Sequence, residues 1–352
     1  MANSLGDFSN LKELGRSGVK VFSYYTITTI FAMLIAWGAS HLFHSDVTLS
    51  DLNISVSENL SAVQKLDISL VDTLVNMVPS NIIGAFASSN MMQIIVLAII
   101  IGIAMGKIGE YSQKMHDLVG MFDALFGKIT AIIIKFLPVA VYGSFTSLIL
   151  TMNLDTAGAV SSWVGVTLLC IAAMFCIYMI MLILLGHLNP LQFLRKYNYV
   201  AVTALSTSSS SATLPAAVSC CQRMGVSPSI YKFSIPLGST INMDGTTIYL
   251  VVSTMFLSLI SGVEIPLEAY MSLGITILLL SMAAPAVPGA AIACLSTLLA
   301  IVGVPNESMA VIIGILPLFD PLFTASNVIG DGVVTTLVAK SENALDMEKF
   351  NG

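Results

Sequence analysis

Charge is scarce in this chain, and over one long stretch positive charge is missing altogether. Of 352 residues, 10% are charged and 56% hydrophobic. Soluble domains average about 25% charged residues, so a soluble globular domain is excluded and a polytopic membrane protein is expected. Between residues 233 and 339 there is no Lys, Arg or His, yet Asp244, Asp320 and Asp331 stand there among apolar neighbours. A carboxylate in hydrocarbon must be protonated, paired or facing a bound cation. No side chain of the stretch supplies that charge, so a mobile partner is expected: a metal ion or a cationic group on a substrate. The five cysteines (Cys170, Cys176, Cys220, Cys221, Cys294) lack metal-ligand spacing and read as buried free thiols. The first ten residues, MANSLGDFSN, lack a basic n-region, so no cleavable signal peptide is expected.

What is present is a series of long apolar runs, at 19–43, 75–108, 118–152, 157–185, 230–260, 267–304 and 309–339. A span needs about 20 residues, so the longer runs should tilt or break. Nineteen Met and 25 Gly suit helices that pack closely and slide. Residues 199–218 make a poor span, because hydroxyls crowd 206–211 and Pro215 follows. If the first run points outward, the inside receives Lys12, Arg16, Lys20, Lys107, Lys114, Arg195, Lys196, Arg223, Lys232, Lys340 and Lys349, and the outside loops keep Lys65. Lys128 and Lys135 fall within the third run and could snorkel or line a cavity. This positive-inside pattern holds only if 199–218 and 267–304 each enter and leave on one side. Both therefore read as re-entrant hairpins, one from each face.

The C-terminal half repeats one plan. A hairpin with a serine tip (206–211, then ATLP) precedes a helix broken at Asn242-Met243-Asp244-Gly245. A second hairpin with the tip PAVPGAA (285–291) precedes a helix carrying Asp320, Asn327 and Asp331. Such paired plans mark inverted repeats in secondary transporters, and irregular backbone at membrane depth is tolerated where it lines a cavity. A serine tip at a helix N-terminus suits a carboxylate. A break that frees carbonyls beside Asn and Asp suits a hard cation such as sodium. Asn327 and Asp331, four apart, share a helix face with Asp320.

At these residues the chain resembles the dicarboxylate/amino acid:cation symporter family, the glutamate-transporter-like elevator carriers. The motifs are 208–215 (SSSSATLP), 236–246 (PLGSTINMDGT), 287–290 (VPGA) and 327–331 (NVIGD), and 20–29 (KVFSYYTITT) looks like the family's third helix. The resemblance implies an all-α fold with two re-entrant hairpins and broken helices. It also implies two scaffold helices ahead of the one near residue 19, which this sequence lacks. The implied division is an N-terminal segment 1–18, a transport-domain helix 19–43, an external loop 44–72 and scaffold helices 73–152. A transport domain 153–342 follows, comprising a helix, a hairpin 190–224, a broken helix 228–262, a hairpin 266–304 and an acidic helix 306–340. A cytoplasmic tail 343–352 ends the chain.

Site roles are implied position by position. Tyr25, Thr28, Thr29, Asn242 and Asp244 would hold one sodium ion. Carbonyls of Gly238 and Asn242, with Asn327 and Asp331, would hold a second. Thr240 with carbonyls of Ser281, Met282 and Ala284 would hold a third. Substrate would meet Ser208, Ser209 and Ser210, Met243 and Thr246, Val287 and Gly289. Asp320 would take a substrate ammonium, and Thr324 and Asn327 would bind its polar groups. No organic cofactor is implied; sodium is the coupling ion and the assembly a homotrimer in a bacterial inner membrane.

Acidic-substrate members carry an Arg where this chain has Phe323, and some carry one where it has Ser208. Leu316 replaces a further family acid. A second substrate carboxylate would lack a basic partner there, so a neutral amino acid is expected, with Phe323 limiting the pocket. The alternatives are acidic amino acids or C4-dicarboxylates, with protons as a second choice of coupling ion, and, from another class, an anion channel. An intramembrane enzyme is not expected. A serine protease needs a His or Lys partner, and an aspartyl protease needs Gly-x-Gly-Asp, where Val328 occupies the first Gly position before Gly330-Asp331.

Overall fold

A computed structural model describes residues 11–43, 81–87, 108–136, 154–284 and 289–352, with scattered positions between 75 and 146. The expected loop 44–72, much of the expected scaffold 73–152, and the tip residues 285–288, including Val287, lie outside the described residues.

The elements are helical throughout. In chain order they are α1 (Leu11–Ser40), α2 (Ile82–Ala87), α3 (Ser112–Ile134), α4 (Leu154–Leu184), α5 (Pro190–Thr207), α6 (Ser210–Arg223) and α7 (Pro228–Ile241). There follow α8 (Asp244–Ile260), α9 (Ala269–Ala283), α10 (Ala290–Ile301), α11 (Ala310–Ile313), α12 (Leu316–Ser341) and α13 (Met347–Asn351). Among the described residues, four segments are long and apolar enough to cross a membrane: Arg16–Ser40, Ala157–Leu184, Pro228–Ile260 and Leu316–Ser341. In the last two, 89% of the apolar window is buried against 39% in the first two. The broken helix α7–α8 and the acidic helix α12 therefore form the centre, and α1 and α4 flank it. Phe22, Leu34, Ile180 and Leu184 point outward from the flanking helices, as suits a face in lipid, where helices keep their backbone bonds satisfied internally.

The first hairpin is described from end to end, and of the second the two arms, α9 and α10, pack against each other. Asn189 accepts from the Leu191 N–H at 2.9 Å and Pro190 opens α5, a favoured start. The chain reverses at Ser208, whose φ of 48° and ψ of 31° are left-handed, a conformation that costs a non-glycine residue about 1 kcal/mol. Ser209 then caps α6, its Oγ accepting from the Ala212 N–H at 3.3 Å. The break between α7 and α8 also forms. Asn242 and Met243 leave helical geometry, and the Met243 carbonyl accepts from both the N–H and the hydroxyl of Thr247.

Three boundaries differ from expectation. The first helix begins at Leu11 rather than near residue 19; Arg16 on its added turns and Lys20 one turn further pair with Glu342. The acidic helix is not continuous over 306–340: a 3-10 turn Asn306–Met309 and α11 precede a bend at Gly314-Ile315, with Pro317 opening α12. The terminal residues are not a free tail. Val226 bridges Leu345, the Ser227 N–H donates to the Ala344 carbonyl and the Asp346 N–H to the Gly225 carbonyl, both at 2.9 Å. Phe350 is 0% exposed. Gly225, at φ +83°, permits this docking, since a methyl there would lie 2.8 Å from Asp346 Cβ. Lys128 and Lys135 are exposed.

Candidate functional site

The break in α7–α8 brings the acids of the base-free stretch together with α1. Thr28 donates to Asn242 Oδ1 at 3.2 Å and Thr29 to Asp244 Oδ1 at 2.8 Å. Both hydroxyls also lie within 3.0 Å of the Tyr25 carbonyl. Five oxygens from Tyr25, Thr28, Thr29, Asn242 and Asp244 thus converge. Tyr25 joins through its carbonyl, because its hydroxyl lies 3.0 Å from both the Ser234 carbonyl and Ser234 Oγ, which in turn meets Thr335 Oγ1 at 2.6 Å.

A second cluster adjoins the first. Asn242 Nδ2 donates to Asp331 Oδ1 at 3.0 Å and to the Asn327 carbonyl at 3.2 Å. The Asn242 N–H donates to the Gly238 carbonyl at 2.8 Å. Glycine at 238 is required by this approach, since a methyl would fall on the Asp331 carboxylate and the Tyr25 hydroxyl. Asp244 and Asp331 are 0% and 2% exposed, and among the described residues their hydrogen-bond partners are all neutral. Oxygen shells with such charge suit a hard monovalent or divalent cation. Among the described residues, no hydrogen bond draws the third expected group together. Thr240 is exposed and bonds back to the Leu237 carbonyl at 2.7 Å, while Ser281 and Met282 lie in the last turn of α9 and Ala284 caps it.

The expected substrate residues fall into three groups. Asn327 Nδ2 reaches Met243 Sδ at 3.2 Å and Thr246 Oγ1 at 3.4 Å, and its Oδ1 accepts from the Gly245 N–H at 2.7 Å. Thr324 is buried on the same helix. Ser208, Ser209 and Ser210 form the first tip, with Ser209 and Ser210 buried, and α6 packs against α12. At the second tip the Gly289 N–H donates to Asp320 Oδ2 at 3.1 Å. Phe323 is 2% exposed and packs 5.4 Å from the Tyr249 ring and 6.4 Å from the Phe319 ring. It stands in an aromatic wall beside the helix break rather than as a free group.

Sequence reasoning missed Tyr178, which donates to Asp244 Oδ2 at 2.6 Å from α4, and also Ser234 and Thr335. A lone Tyr in an apolar helix carries no spacing signal that would have marked it.

The family described as the Sodium:dicarboxylate symporter family matches residues 1–341. A C4-dicarboxylate transport protein of Bacillus subtilis (strain 168) is 26% identical over 354 residues, covering 98% of this chain and 83% of that protein. A C4-dicarboxylate transport protein of Cupriavidus pinatubonensis is 28% identical over 98% of this chain and 81% of its own length. One from Rhodospirillum rubrum is 28% identical over 99% and 79%. These relatives are carriers, not enzymes. With its broken helix, paired hairpins and membrane-length apolar segments, the chain belongs to the sodium:dicarboxylate symporter family and is an all-α membrane carrier.

Proposed function

We propose that the chain takes up a C4-dicarboxylate coupled to sodium, by an elevator motion. The observation that carries this is the pair of adjoining oxygen clusters around Asp244 and Asp331, two buried carboxylates whose described partners are neutral. A sodium ion at each would supply the missing charge. The relatives' names favour a dicarboxylate over the neutral amino acid expected from Phe323 and Ser208. Without a basic side chain, two carboxylates would rest on two helix N-termini, that of α6 at Ser209-Ser210 and that of α10 at Gly289. Each terminus carries about half a positive charge. In this reading residues 73–152 belong to a static scaffold through which a trimer assembles. Residues 19–43 and 153–342 move.

A second reading, an α-amino acid substrate, is favoured by Asp320. Its carboxylate has one described hydrogen bond, from the Gly289 N–H, and a substrate ammonium would complete it. The purified chain in proteoliposomes separates the readings. Labelled succinate, aspartate, serine and alanine are offered under an inward sodium gradient, a proton gradient, or neither. Accumulation of succinate driven by sodium is expected. Accumulation of serine or alanine alone would install the second reading, proton-driven uptake would replace the ion, and current without accumulation would identify a channel.

A further inference from the structure

Tyr178 belongs to none of the motifs and sits on the buried face of α4, in line with Trp163, Cys170, Met174 and Leu182. It is 1% exposed, and its phenol donates to Asp244 Oδ2 at 2.6 Å. That length is typical of a charge-assisted bond to a carboxylate. The other oxygen, Oδ1, accepts from Thr29 on α1 at 2.8 Å. The two oxygens of Asp244 are therefore held from opposite elements. Room for the phenol comes from Gly330 on α12, where a methyl would lie 2.6 Å from Tyr178 Oη and 2.7 Å from Asn242 Nδ2.

We propose that Tyr178 is the positioning residue of the cation site, holding Asp244 Oδ2 so that Oδ1 is presented to the oxygens of Tyr25, Thr28, Thr29 and Asn242. The inference rests on the reading of that cluster as a sodium site and deepens it. A carboxylate held at one oxygen needs no reordering when the ion arrives. One released from the phenol must be ordered by the ion itself, which weakens binding. Because Tyr178 is on α4, the same bond ties that helix to the site.

The test is a sodium titration of the full chain and of Tyr178→Phe, read as thermal stabilisation in detergent and as sodium-driven succinate uptake in proteoliposomes. Tyr178→Leu, which also empties the ring volume, runs beside them. In Tyr178→Phe the sodium concentration for half effect should rise about ten-fold, the usual weight of one bond to a charged group. The succinate concentration for half uptake at saturating sodium should stay within about two-fold, since the phenol acts through Asp244 alone. Tyr178→Leu should show the same sodium shift together with a lower melting temperature in its absence. Melting reads ion binding directly even where uptake fails. A sodium response unchanged in Tyr178→Phe and shifted only in Tyr178→Leu would assign the residue to packing and overturn the proposal. A wild-type chain without any sodium response would overturn the sodium site itself.

Discussion

The two hairpins share a plan and differ in what fastens them. The first is closed at its tip by neutral groups and at its base by the terminal residues. Ser209 caps its second helix, and at its base the Gly225 carbonyl accepts from the Asp346 N–H, the Ser227 N–H donates to the Ala344 carbonyl and Lys196 donates to the Lys349 carbonyl. The second is held at its described tip by one bond to an ionisable side chain, from the Gly289 N–H to Asp320. Backbone bonds are indifferent to what the site contains. A carboxylate bond is not, because a substrate carboxylate competes for the Gly289 N–H and a substrate ammonium competes for Asp320. On the proposed reading, the second hairpin is therefore the ligand-sensitive one.

The largest effect should come from breaking the second fastening. On the amino acid reading, Asp320→Asn leaves a substrate ammonium without its partner, a loss of about 3–5 kcal/mol or more than about a hundred-fold in affinity. Labelled amino acids would then no longer compete for uptake. Succinate needs no such partner and should be taken up at least as well as by the wild type. Loss of succinate uptake with amino acids unaffected would reverse the assignment.

The first fastening is broken by Phe350→Ala, which empties a fully buried site. A Phe→Ala change of this kind costs about 3 kcal/mol or more and should appear as a lower melting temperature in detergent. Sodium half-saturation should not move, as the length of α7, about 20 Å, separates the clasp at Ser227 from the helix break at Asn242. A shift in sodium dependence without a stability change would tie the clasp to the site. Ser209→Ala should cost about 1 kcal/mol through loss of the cap, seen as several-fold weaker substrate uptake at unchanged sodium dependence.

The smallest effect concerns the tie between α1 and the end of α12. Glu342 is held below its ordinary value of 4.5 by Lys20 and then Arg16. A lowered carboxyl contributes stability that is whole above the ordinary value and is lost as pH falls below it. Glu342→Gln should therefore flatten the acid limb of the melting curve below about pH 4.5. The change should stay under about 1 kcal/mol because Arg16 is solvent-exposed. An equal effect at neutral and acid pH would show that charge is not involved.

Much of the architecture was legible in the sequence because breaks in hydropathy are themselves structural. The hydroxyls near Ser208 and the Asn-Met-Asp-Gly interruption fall where the helices stop, whereas α6 runs through Pro215. The convergence of Thr28 and Thr29 with Asn242 and Asp244 followed from the motif resemblance rather than from spacing, since more than two hundred positions separate them. Which atom of Tyr25 takes part was not legible, because a motif names a residue and not the direction of its side chain. Tyr178 and Gly330 were missed as a pair for the same reason: their contact spans α4 and α12 and exists only in the packed bundle. The docked terminus escaped too. Its apolar content is small, and its hold depends on the left-handed turn at Gly225.

On the proposed reading, binding of the coupling ion by the buried acids at the helix break drives uptake. It is tested most directly by labelled succinate accumulation in proteoliposomes of the wild-type chain and of Asp244→Asn, with external sodium or potassium. Accumulation that requires sodium in the wild type and is lost in Asp244→Asn is the predicted result. Equal accumulation in potassium, or sodium-driven uptake undiminished in Asp244→Asn, would contradict it.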